Sequence, residues 1–101
     1  MKLLNSPFRV GVVQAAPVFM DREATIDKAC ELILEAARSG ARLVVFSESL
    51  IPCYPIWSSV VPADRKLMLN DLYAEFLANA VTIPGDALDK MCRIARRAKT
   101  V

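Results

Sequence analysis

RVGVVQA, residues 9–15, and LVVF, residues 43–46, decide how this chain is read. Both are short, rich in Val and almost continuously apolar, the pattern of strands buried on both faces of a parallel sheet. Ala16-Pro17 ends the first. Asp21 then offers a side-chain cap for a helix, and Ile26, Cys30, Ile33 and Ala37 recur at helical intervals as one apolar stripe. Ser39-Gly40 follows, with Gly40 suited to the left-handed position that closes a helix. Strand, helix and strand in this order predict a βαβ unit with a right-handed crossover, and so an α/β fold.

Downstream, residues 50–62 carry three prolines and no regular period, which reads as a loop. Leu69, Leu72, Tyr73, Phe76, Leu77 and Ala80 restore a helical period and predict a second amphipathic helix. Pro84-Gly85 is a turn, and Asp86 with Asp89 resembles a capping box in which Asp replaces the usual Glu. Leu88, Cys92, Ala95 and Lys99 mark the expected inward stripe of a third helix, after which Val101 begins a third strand. The predicted order is β-α-β-loop-α-α-β, with no internal repeat and no domain boundary.

The chain has 101 residues, enough for one small domain, and 54% of them are hydrophobic. That proportion suits elements that are covered by more protein, and the chain reads as a portion of a larger domain. Its 13 basic and 11 acidic residues leave a net charge of +2, too balanced to point to nucleic acid or an anionic membrane. Arg93, Arg96, Arg97 and Lys99 fall in the last turns of the third helix, where the macrodipole favours cations. Three cysteines, Cys30, Cys53 and Cys92, at wide spacing argue against a disulfide scaffold or a zinc site and fit a reducing cytoplasm. Histidine is absent, which removes His-based triads and His-ligated metals from these residues. Met1-Lys2-Leu3-Leu4 runs into Asn5-Ser6-Pro7 without the core of a signal peptide, and no apolar run is long enough to span a bilayer. The expectation is a protein without cofactor or metal, with neither nucleic acid nor membrane as partner.

Glu48 is the residue with chemistry to offer. It is the only charged residue between Arg42 and Asp64, and it follows directly on the second strand. Ligands of open α/β sheets gather at the carboxyl ends of strands. A carboxylate in an apolar site there is pushed toward the protonated form, which suits a general base. An N-cap, a structural ion pair or a solvated loop residue is the plain alternative.

FSESLIPCYP, residues 46–55, resembles the first catalytic motif of the nitrilase superfamily, a hydrophobic strand followed by Pro-Glu, an apolar stretch and a Gly-Tyr-Pro-like loop. RVGVVQAAP resembles that family's first strand, and NAVTIPGDALDKMCRIARRAKTV its Pro-Gly turn, helix and approach to the third strand. The resemblance covers almost the whole chain in the family's order. It implies that residues 1–101 are the N-terminal portion of a single carbon–nitrogen hydrolase domain built as an αββα sandwich. It also implies a Glu–Lys–Cys site in which Glu48 is the general base. The Cys attacks a nitrile or amide carbon, the Lys stabilises the charge that develops, and water releases the acid. The family's Lys and Cys fall beyond Val101. Cys30, Cys53 and Cys92 are not assigned to that role.

The Tyr-Pro-Ile-Trp sequence is more like the nitrilase branch than the amidase branches, which makes Tyr54 and Trp57 candidate substrate-binding residues; both also suit plain packing. The sequence departs from the family at three places. Ser47 stands where Pro is usual, Ser49 where a small apolar residue is common, and Cys53 where Gly is common, so that Cys53 is strained if the position needs a positive φ. The expected activity is hydrolysis of a nitrile to a carboxylic acid and ammonia, in a cytoplasmic homo-oligomer. An amidase or carbamoylase of the same superfamily is the alternative, and a truncated, non-catalytic chain that docks onto full-length subunits is a second.

Overall fold

A computed structural model describes residues 6–101, so the Met1–Leu4 stretch lies outside the described residues. Strand β1 (Arg9–Val13) pairs in parallel with β2 (Ala41–Phe46), from Val10 opposite Leu43 to Val13 opposite Phe46. Helix α1 (Arg22–Arg38) connects them. The chain continues through α2 (Trp57–Val60), α3 (Lys66–Ala78) and α4 (Asp86–Ala98). This is the α/β fold read from the sequence.

The predicted first strand is shortened at its end. Gln14 and Ala15 lie outside β1 because its partner runs out at Phe46. The second begins two residues earlier than predicted, at Ala41.

Both ends of α1 follow the sequence signals. The Asp21 side chain accepts from the Ala24 N–H at 2.9 Å. At the other end Gly40 has φ 92° and donates its N–H to the Ala37 carbonyl, a backbone that a side chain rarely tolerates. The inward face of α1 carries Ile26, Ala29, Cys30 and Ile33, all buried. It packs against α4 and one face of the sheet. Thr25, 1% exposed, is satisfied locally: its hydroxyl accepts from the Val18 N–H and lies 2.7 Å from the Asp21 carbonyl. Lys90 pairs with Asp27 where α4 crosses α1.

The other face of the sheet is open among the described residues, against the expectation that both faces are buried. Val12 is 79% exposed, and Val10 and Val45 on the same face are close to half exposed. The helices supply cover on one side only.

Three further expectations are corrected. Residues 50–62 are not all loop, since α2 forms one turn within them. The second predicted helix is present as α3, but none of its residues is buried; its apolar stripe meets α2, where Phe76 packs on Trp57. The capping box is not formed. Gly85 is the N-cap of α4, with no side-chain cap, and Asp86 and Asp89 sit in the first turn. A Cβ at Gly85 would lie 2.5 Å from the Thr82 carbonyl oxygen, so the cap has no room for a side chain.

Lys99 does not extend the inward stripe of α4. It is exposed and left-handed, with φ 56°. The Thr100 N–H bonds back to the Ala95 carbonyl and the Lys99 N–H to that of Arg96, the paired bonds of a Schellman ending. Val101 then donates to the Arg42 carbonyl at 2.9 Å and accepts from the Val44 N–H at 2.8 Å. That is the ladder of a parallel strand opposite Leu43, so the last β of the predicted order is represented by this residue. Cys92, expected on the inward stripe, is exposed; it lines an apolar groove with Phe46, Leu88 and Thr100, whose buried Oγ1 has no partner among the described residues.

Candidate active site

The segment after β2 begins where Phe46, opposite Val13, makes the last strand pairing. Glu48 and Ser49 then form a turn. Ser49 is left-handed, φ 57°, a conformation uncommon for a residue with a side chain. The chain returns to the protein at Pro52 and Cys53, both buried, through a cis Ile51–Pro52 bond. Trp57 is the next anchor, 8% exposed, with its ring edge-on to Phe76 of α3 at 5.9 Å.

Glu48 therefore stands beyond the carboxyl end of a parallel strand, where a substrate-facing group belongs. Its carboxylate is exposed, and it forms no hydrogen bond or ion pair among the described residues. The apolar enclosure expected of a general base is not supplied by residues 6–101. Among the described residues Glu48 makes no hydrogen bond or ion pair to a Cys or a Lys.

Tyr54 is 59% exposed, with its ring free to face a neighbour. Trp57 is held in packing, and its indole N–H is buried without a partner among the described residues. Cys53, at 3% exposure, is the most buried of the three cysteines. It has no positive φ, so the strain considered for it is absent; the left-handed residue of this segment is Ser49 instead. Cys30 is buried in α1. Burial pushes its thiol above the ordinary 9.0, the Lys90 cation works against that shift, and Asp27 adds to it. A thiol held protonated is a poor nucleophile.

One structural residue was not singled out from the sequence. Arg22, at the start of α1, donates its backbone N–H to Asn79 Oδ1 and its guanidinium to the carbonyls of Ala78 and Ala80. It ties the end of α3, and with it the segment that follows Glu48, to α1. A lone Arg after an N-cap carries no signal of so distant a partner.

Comparison with known proteins bears on the whole of this arrangement. The pattern of the carbon-nitrogen hydrolase family matches residues 9–101. An arylacetonitrilase of Aspergillus oryzae is 41% identical over 90 residues, covering 89% of this chain and 26% of the relative. A protein named nitrilase 2, from an unknown prokaryotic organism, is 45% identical over 89 residues, 88% of this chain and 27% of its own length. A nitrilase of Bacillus sp. strain OxB-1 is 43% identical over 84 residues, 83% and 24% respectively. The chain thus spans about a quarter of the length of these curated relatives. The matched span runs from the first residue of β1 through the Glu48 turn to Val101, so the strand, the turn and the helices that follow are similar together and in order: the chain belongs to the carbon–nitrogen hydrolase family, as part of the nitrilase superfamily.

Proposed function

We propose that residues 1–101 are the N-terminal portion of a carbon–nitrogen hydrolase domain that converts a nitrile to a carboxylic acid and ammonia, with Glu48 as general base. The observation that carries this reading is the placement of Glu48: a carboxylate in the turn directly after a parallel strand, within the span matched by the family. The names of the relatives, arylacetonitrilase and nitrilase, support a nitrile as substrate and favour one whose nitrile carbon is joined to an arylmethyl group.

The chemistry asks for a nucleophilic thiol and a cation from elsewhere in the domain, and no residue of this chain is assigned to either. Glu48 accepts the thiol proton as sulfur bonds to the nitrile carbon and passes it to the nitrile nitrogen, which gives a thioimidate. Water then adds to that carbon, Glu48 relays its protons to the nitrogen, and the carbon–nitrogen bond breaks to release ammonia and leave a thioester. A second water, deprotonated by Glu48, adds to the thioester carbon; the carbon–sulfur bond breaks, the acid is released and the proton returns from Glu48 to the sulfur. Tyr54, exposed beside the turn, is the substrate-facing residue of this segment in the proposal.

The test is Glu48→Gln in the full-length protein, assayed by ammonia release from arylacetonitriles. The substitution keeps the shape and removes the proton acceptor. Turnover falls at least ~10²-fold if Glu48 is the base. Near wild-type turnover from a folded variant refutes the assignment.

A further inference from the structure

We propose that Ser49 is a positioning residue for Glu48, acting through its left-handed backbone and not through its hydroxyl. This rests on the reading of Glu48 as the general base. A catalytic carboxylate has to be presented in one direction, yet that of Glu48 has no side-chain tether among the described residues. Among these residues its direction is set by the main chain alone.

The main chain is fixed on either side of it. Upstream, Phe46 is held opposite Val13 in the sheet. Downstream, Pro52 and Cys53 are buried. Within these few residues the strand must end, point Glu48 outward and turn back, and the one left-handed residue among them is Ser49, φ 57°. The Ser49 side chain is exposed and makes no hydrogen bond among the described residues, so nothing it touches accounts for that conformation. An unusual backbone without a local partner, next to the residue assigned the chemistry, is where strain held by the surrounding fold serves the site.

If the backbone is what matters, substitutions at position 49 rank by their tolerance of the left-handed region. Gly adopts it freely, Asn is favoured among residues with a side chain, Ala less so, and β-branched Val least. The test is a series in the full-length enzyme: Ser49→Gly, Ser49→Asn, Ser49→Ala and Ser49→Val, each also made with Glu48→Gln, with kcat, KM and a thermal melt for every variant. Gly and Asn are expected to keep kcat within about threefold of the parent, and Val to lower it at least ~10-fold with KM within about twofold, the pattern of an interaction lost in the transition state. In the Glu48→Gln background Val costs less than about twofold, because a positioning effect has nothing left to act on. A Gly variant as impaired as Val, or a Val penalty equal in both backgrounds, overturns the Ser49 assignment and leaves Glu48 standing. Glu48→Gln with parental turnover overturns both. If Ser49→Val fails to melt cooperatively, Asn and Ala decide: Asn must exceed Ala, and Ala at or above Asn overturns the proposal.

Discussion

The ring of Trp57 meets that of Phe76 edge-on at 5.9 Å and 67°, and through this contact the segment after Glu48 rests on α3. Trp57 is thereby a packing residue as well as a candidate for touching substrate. In the full-length protein Trp57→Ala is expected to destabilise by about 3–5 kcal/mol, and Trp57→Phe by much less. Trp57→Phe should leave KM within about twofold, as read from kinetics alongside a denaturant titration. A raised KM with unchanged stability would instead give the indole a direct part in binding.

Cys53 lies close to Glu48 in sequence but is buried at 3% exposure. A nucleophile must reach the substrate carbon, and a thiol this deeply buried does not. Single replacement of Cys30, Cys53 or Cys92 by Ser in the full-length protein should therefore preserve a covalent substrate adduct, detected by intact mass after quenching. Disappearance of the adduct in Cys53→Ser alone, with the fold retained, would bring the nucleophile into this segment.

Cys30 gives stability a dependence on alkaline pH. In the unfolded chain its thiol ionises around 9.0, while burial in α1 keeps the proton on to higher pH. The folded state binds more protons between those two values, so the contribution is complete below 9.0 and declines as pH rises through the folded value. Asp27 likewise holds the Lys90 amine above its ordinary 10.5, so that contribution is lost only higher up. Melts of the full-length protein at pH 8 to ~10 should show a steeper decline in parent than in Cys30→Ala. The comparison is of slopes, since the substitution also leaves a small cavity.

Residues 1–101 made alone should release no ammonia from nitriles and should bind a hydrophobic dye. Val10, Val12 and Val45 lie exposed on one sheet face, and a lone carboxylate cannot replace a thiol. Size exclusion of the purified piece should show association through that face and the free strand edges. A monomer with a sharp cooperative melt would refute the expectation about folding. Ammonia release abolished by Glu48→Gln would refute the expectation about activity.

The parts legible in the sequence are those set by short-range rules. The βαβ unit follows from apolar runs and a helical stripe, and Asp21 and Gly40 mark the ends of α1 by their own chemistry. Helix α2 was missed because four residues are too few to display a period. Lys99 was misread because Lys has no preference for the left-handed region; it adopts it where the chain turns from α4 onto the edge of β2. The position of Glu48 at a strand end was legible. Its exposure was not, since cover on that side depends on layers that a local pattern does not describe. Ser49 gave no sign for the same reason as Lys99.

The Arg22 tether orders events in time. Its backbone N–H sits 57 residues from its acceptor on Asn79, whereas the Asp21 cap is made only three residues away. In chain order β1, α1 and β2 all precede Ala78–Ala80, so the Asp21 cap is available to α1 before the distant partners of Arg22 are made. The later half of the chain then finds a preformed mooring and meets only the entropy of closing one long loop, a cost that grows slowly with length. On this view α1 is finished twice: once by its own neighbour, and again when the end of α3 arrives.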